Sequence, residues 1–191
     1  MRQTITSRRS CPVLLLILLL SAPAPAQMDN KDVLVGSKLS SGFDMGVNSS
    51  EGRTDWLERD TDQGHFKMSY PSGQSWGAVF ITVGKPKVPP RPSRDFSAYQ
   101  TLSIEMKGGS GTKVVDIGIK TNTQPDDGSE TKVTLKLDPD WKTYEIPLNK
   151  FVGTDSRNLY VVTEFVFADS EAQTLYVRNI RYLTRQAKTG D

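Results

Sequence analysis

One cysteine and one histidine occur in 191 residues. Cys11 stands near the N-terminus, so the remainder of the chain has neither a thiol nucleophile nor a disulfide, even though an exported domain would be permitted one. A zinc site would have to be assembled from His65 and carboxylates, which removes the usual Cys/His sets. Long apolar runs are also missing. The longest unbroken one, at 13–20, has eight residues, far short of the ~18 that cross a bilayer, so no membrane insertion is expected. Neither sign of charge dominates, with 24 Lys+Arg against 22 Asp+Glu, and no basic stripe marks a nucleic-acid partner. Helical periodicity is absent as well. After position 27 no stretch of ten or more residues sustains an apolar period near 3.6.

The eight-residue run has a different role. Arg2, Arg8 and Arg9 precede it and Ala22-Pro23-Ala24-Pro25-Ala26 follows it, the arrangement of a secretory signal peptide cleaved near Ala26. Residues 1–26 are therefore a leader, 27–185 a single domain and 186–191 a flexible tail, and the product is expected outside the cytoplasm, secreted or periplasmic. Losing three arginines and no acid turns a net charge of +2 into −1. A domain of this size can bury about 70% of its unfolded surface, enough to stand without cross-links.

Two-residue alternation recurs along the domain. Phe66, Met68 and Tyr70 alternate with His65, Lys67 and Ser69; Leu102, Ile104 and Met106 with Ser103, Glu105 and Lys107; Val115, Ile117 and Ile119 with Asp116, Gly118 and Lys120; Val133, Leu135 and Leu137 with Thr134 and Lys136. Residues 76–83 are apolar on both sides, as in an interior strand. Segments 141–148, 161–167 and 175–183 complete the set, with weaker candidates at 33–35 and 53–58. Turn clusters at 60–64, at Gly108-Gly109-Ser110-Gly111 and at 121–130 separate them, and the proline-rich basic stretch 85–94 reads as a stiff loop at a sheet rim. The fold class is all-β, a two-sheet antiparallel sandwich of jelly-roll type.

Gly73-Gln74-Ser75-Trp76-Gly77 matches G-x-S-x-G, whose serine sits on a strand-to-helix turn with its histidine later in the chain. Here a strand follows, and His65 comes ten residues earlier, so Pro71-Ser72-Gly73 is read as a hairpin turn. Glu105, Asp116 and Glu164, at strand positions, are the carboxylates from which a small glycoside hydrolase would be built.

From position 95 to 183 the chain resembles the galactose-binding-like jelly rolls, especially carbohydrate-binding modules of the family 11 type and their relatives. The residues that carry this are Asp95-Phe96-Ser97-Ala98-Tyr99, the strand at 101–108, Trp141-Lys142-Thr143-Tyr144-Glu145-Ile146-Pro147-Leu148, Phe165-Val166-Phe167 and Tyr176-Val177-Arg178-Asn179-Ile180-Arg181-Tyr182, with 70–77 similar to the preceding part of such modules. The resemblance implies a core position for Trp141, between the sheets. Relatives often carry Asp where Arg178 stands, binding a structural calcium with acids such as Asp44. An arginine cannot ligate a cation, so Arg178 is expected to pair with an acid or donate to a sugar hydroxyl. Asp126, Asp127 and Glu130 form another conceivable calcium loop, read first as solvated acids. No other cofactor is expected.

A glycan presents C–H patches and paired hydroxyls, so its receptor needs a flat aromatic and a few fixed planar polar groups. Trp76, Trp56 and Tyr70 are the candidate platforms. Glu105, Asp116, Lys120, Thr134 and Glu164 are the wet-face candidates for one shallow groove, and Arg178 is a further ligand-binding candidate. The expectation is a secreted, non-catalytic carbohydrate-binding domain. The alternatives are a structural or protein-interaction sandwich without a glycan site and, third, the small glycoside hydrolase; the glycan and the oligomeric state stay open.

Overall fold

A computed structural model describes residues 30–109 and 114–184. The leader with its cleavage site and Cys11, the tip of the Gly108-Gly109-Ser110-Gly111 hairpin and the tail lie outside the described residues. Within them the chain is a sandwich of two antiparallel sheets. Its strands are β1 (Lys31–Val35), β2 (Lys38–Leu39), β3 (Phe43–Ser49), β4 (Leu57–Asp60), β5 (His65–Tyr70), β6 (Gly77–Val83), β7 (Thr101–Gly108), β8 (Val114–Thr121), β9 (Lys132–Lys136), β10 (Lys142–Pro147), β11 (Leu159–Phe167) and β12 (Gln173–Leu183). One sheet runs β10-β7-β12-β1-β2, with β5 also paired to β12 and β4 to β5; the other runs β3-β6-β11-β8-β9.

The alternating residues explain the layers. Phe66, Met68, Leu102, Ile104, Met106, Leu175, Val177 and Tyr182 of the first sheet face Val79, Ile81, Val115, Ile117, Phe165 and Phe167 of the second, all buried. Each such side chain contributes about 1.5–3 kcal/mol of burial. Tyr182 keeps its hydroxyl satisfied in this core by donating to the Val162 carbonyl, 2.6 Å away. The sharpest irregularity is at Asn179, where β12 changes its neighbour from β5 to β1. Asn179 has φ 52°; its Oδ1 accepts from the Gly36 amide at 2.9 Å, and its Nδ2 donates to Glu105 at 2.7 Å. The side chain thus ties the bulge to the turn after β1 on one side and to the Glu105 carboxylate of β7 on the other.

Three aromatic expectations are corrected. Trp56 does not lie on a strand but in the turn before β4 and is 3% exposed, with Nε1 donating to the Arg53 carbonyl at 3.0 Å. Its ring meets Tyr70 and Phe167 edge-on, each at 5.6 Å. Tyr70, 1% exposed, stacks on Phe167 at 5.0 Å and donates its hydroxyl to the Asp169 carbonyl. Neither can offer a ring to a ligand. Trp141 moves the other way: it is only half-buried and lies under the Arg178 guanidinium, 4.2 Å from the ring centre, on the outside of the first sheet. The turn at Ser72-Gly73 is followed by β6, so Ser75 is on no nucleophile elbow.

Candidate functional site

The outward residues of the β3-β6-β11-β8-β9 sheet fall into cross-strand rows. Asn48, Ala78, Val166, Asp116 and Thr134 form one; Gly46, Phe80, Glu164, Gly118 and Lys132 the next; Asp44, Thr82, Val161 and Lys120 a third. Two loops rise beside this floor, the one from β6 to β7 with Pro86, Lys87 and Val88, and the one from β8 to β9 with Asp126, Asp127 and Gly128. Together they enclose a groove of about 760 Å³.

The middle row sets the groove's shape. A Cβ on Gly46 would lie 2.4 Å from Cε2 of Phe80, and one on Gly118 would lie 3.2 Å from Oε2 of Glu164. The Phe80 ring therefore lies across β3 and the Glu164 carboxylate across β8. Two neighbouring side chains lean apart over positions that have no side chain, and the floor between them stays shallow. Trp76, immediately before β6, is 41% exposed at one end of the same groove.

The walls are fastened by Arg91. Its Nε donates to the Lys87 carbonyl at 3.2 Å, Nη1 to the Gln124 carbonyl at 2.8 Å and Nη2 to the Asp126 carboxylate, while the guanidinium lies over the Tyr160 ring. The Tyr160 hydroxyl accepts from the Lys87 amide at 2.7 Å. A planar fork with several donors is suited to holding two loops at once.

Charges in the floor are largely matched. Lys120 Nζ is 3.2 Å from Glu130 and 3.5 Å from Asp126, and Lys132 Nζ is 2.7 Å from Glu130. Burial works against the charge of Glu130, but Lys132 and Lys120 outweigh it and hold the carboxyl below its ordinary range. Burial also opposes the Lys120 ammonium, and Glu164, Glu130 and Asp126 outweigh it, so Lys120 stays charged to higher pH than usual. Glu164 is the exception. It is 8% exposed, its Oε2 is buried without a hydrogen-bond partner, and burial pushes it up to about 7. Asp116 accepts the Thr134 hydroxyl at 2.5 Å.

The structure thus brings Trp76, Asp116, Lys120, Thr134 and Glu164 to one sheet face. Glu105 and Arg178 are not among them. They pair with each other on the outer face of the opposite sheet, and Arg178, assisted by Asn179, holds the Glu105 carboxyl low against the opposing effect of burial. The calcium candidates do not converge either. Asp126 is taken by Arg91 and Lys120, Asp127 accepts the Ser129 amide, and Asp44 accepts that of Met45 on β3. Among the described residues no three His, Cys, Asp or Glu side chains gather around a metal position. Phe80 and Asn48 were missed. Phe80 was concealed by an apolar neighbourhood that read as an interior strand, and the glycine at 46, which makes room for its ring, was the available signal.

The comparisons agree with this architecture. The family model for carbohydrate binding domain 30 matches residues 36–184. Among solved structures, the chain is similar to a variant of a family 29 carbohydrate-binding module complexed with mannohexaose (TM-score 0.55, 15% identity, 81% of this chain and 90% of that one). It is similar also to the family 11 module from Clostridium thermocellum in complex with a β-1,3-1,4-mixed-linked tetrasaccharide (TM-score 0.55, 15% identity, 81% and 96%). A further family 29 variant, complexed with cellulohexaose, matches at TM-score 0.54 and 15% identity over 81% and 89%. No curated protein sequence matches. At these identities the solved structures establish the jelly-roll fold. The family match spans most of the chain, including every strand that forms the groove, and on that ground the chain belongs to the carbohydrate binding domain 30 family.

Proposed function

We propose that the groove on the β3-β6-β11-β8-β9 face binds a neutral oligosaccharide without catalysis, in a secreted protein. One observation carries the reading: the partly exposed rings of Trp76 and Phe80 share a sheet face with Glu164, a buried carboxyl whose Oε2 has no hydrogen-bond partner. Aromatic faces suit the C–H patches of a sugar, and the carboxyl, with Asn48, Asp116 and Lys120 around it, suits hydroxyls. Lys120 and Lys132 of the floor are already engaged by Glu130 and Asp126, and the exposed Lys87 of the wall is offset by the groove's own acids Asp116, Asp127 and Glu164, so the lining carries no net excess of positive charge for an acidic sugar. Asp116 and Glu164 rise from adjacent strands on the same floor, and a chain lying on that floor would have both on one side. Hydrolysis needs carboxyl groups on either side of the scissile bond. The leader read at 1–26 supports export. Affinity should be modest, since a shallow groove must still order its ligand.

The test is calorimetric titration of the purified protein with mannohexaose, cellulohexaose and the mixed-linked tetrasaccharide, alongside pull-down on insoluble polysaccharides. Trp76→Ala and Phe80→Ala should each weaken binding by about tenfold, ~1.4 kcal/mol. Undiminished binding by both variants would remove the groove from the reading.

A further inference from the structure

Glu164 does more than the platform argument requires. It rises from the central strand β11, is nearly enclosed, and leans over Gly118 with one oxygen unpartnered. The groups that face it are the Phe80 ring from β6, Lys120 from β8, Asp126 and Glu130 from the β8–β9 loop and Lys132 from β9. Neither ammonium group is free to serve it alone, because Glu130 shares both and Asp126 shares Lys120. The protein therefore keeps a carboxyl in a ligand groove without giving it a dedicated cation.

We propose that Glu164 reads the glycan as a neutral acid, donating one hydrogen bond to a neighbouring pair of sugar hydroxyls and accepting one from it, so that the groove selects an uncharged diol and releases it when the acid ionises. This rests on the carbohydrate reading of the groove. A hydroxyl both donates and accepts, and a protonated carboxyl has one donor and free acceptor capacity, whereas a carboxylate can only accept. A sugar ring laid over Glu164 also removes its remaining water, which penalises the charged form and not the neutral one. Burial already places the group near neutrality in the unliganded groove.

Titration of the wild-type protein with the same three oligosaccharides, from about pH 5.5 to 8.5, tests this against a binding-competent fraction that shrinks as Glu164 ionises. Affinity should be level below about pH 6 and fall about tenfold by pH 8. Glu164→Gln, a permanent donor and acceptor of the same shape, should give a flat profile and bind more tightly than wild type at pH 8. The single histidine, His65, serves as the control. It lies on the opposite sheet, so His65→Gln should keep the wild-type slope. Melting curves at each pH confirm that the proteins compared are folded, and should Glu164→Gln not fold, the wild-type and His65→Gln profiles decide. A wild-type affinity that is level or rises with pH overturns the proposal, as does a Glu164→Gln protein that retains the wild-type slope. If no oligosaccharide or polysaccharide binds at any pH, the groove assignment itself falls.

Discussion

The buried carboxyl of Glu164 should make the unliganded domain less stable at pH 8 than at pH 5. Its ordinary value is 4.5, and burial raises it to about 7 in the folded chain. Between those values the folded state holds a proton that the unfolded chain has lost, so stability falls as pH rises. At about 1.4 kcal/mol per pKa unit, and with part of the effect already spent by pH 5, the loss from pH 5 to pH 8 is about 2–3 kcal/mol. The carboxyls held low, such as Glu130 and Glu105, act in the opposite sense. Their contribution is present above the ordinary carboxylate range and is lost only as pH falls below it, so it is nearly constant across this window. Urea unfolding at intervals from about pH 5 to 8 gives the dependence directly. Glu164→Gln should flatten it while leaving the acid-side decline caused by Glu130 and Glu105. A wild-type stability that is constant or increases over the window would refute the reasoning, because it would mean that water or a cation already compensates the Glu164 charge.

Three other perturbations separate groove from scaffold. Gly46→Ala places a methyl group 2.4 Å from Phe80 Cε2, so the ring must swing off β3 at about 0.5–1.5 kcal/mol, offset by about 0.4–1 kcal/mol from a stiffer unfolded chain; melting should change little while oligosaccharide affinity drops. Arg91→Lys loses the fork that joins both walls and leaves a buried cation with fewer partners, costing about 2 kcal/mol; limited proteolysis should show earlier cleavage at 122–130 than in wild type. Asn48-Ser49-Ser50 is an N-glycosylation sequon, and Asn48 is exposed in the groove lining. Production in a host that glycosylates secreted chains should block binding, and Ser50→Ala or enzymatic deglycosylation should restore it.

The layers were legible because alternation is a direct record of which side of a strand meets the core. Phe66/Met68/Tyr70 and Leu102/Ile104/Met106 point inward as the period requires. β3 was not read, although Phe43, Met45 and Val47 face the core: the alternating side, Asp44, Gly46 and Asn48, is groove floor, and its glycine, acid and asparagine read as turn residues. The same blindness worked in reverse at Trp56 and Tyr70. Trp56 among charged neighbours and Tyr70 at a strand end beside a Gly-rich turn read as candidate platforms, and only tertiary contacts show that Arg53 and Asp169 carbonyls satisfy their polar atoms inside the core. Glu105 and Glu164 were indistinguishable in sequence, each an acid on a wet strand face. Their difference is which sheet carries them and whether a partner stands across the strand. Arg178 stands opposite Glu105, whereas Gly118 stands opposite Glu164.

That contrast bears on why the proposed glycan groove lies on one face of the sandwich rather than the other. On the outer face of the first sheet, Lys107 lies over the rings of both Trp141 and Tyr176, Arg178 covers Trp141 and binds Glu105, Lys67 reaches Glu58, and Arg181 reaches Asp32. Its aromatics are already covered by cations of the chain, so a ligand would have to displace contacts of equal kind. On the second sheet, glycines at 46 and 118 let Phe80 and Glu164 lie flat, Trp76 remains open, and a carboxyl oxygen is left unmatched. An unmatched buried oxygen costs about 1–3 kcal/mol in the free protein. On the first sheet Arg178 Nε is also buried without a partner, but its guanidinium is already held by Glu105 and Trp141, whereas a ligand hydroxyl that partners Glu164 would recover the cost of an oxygen that no group of the chain serves.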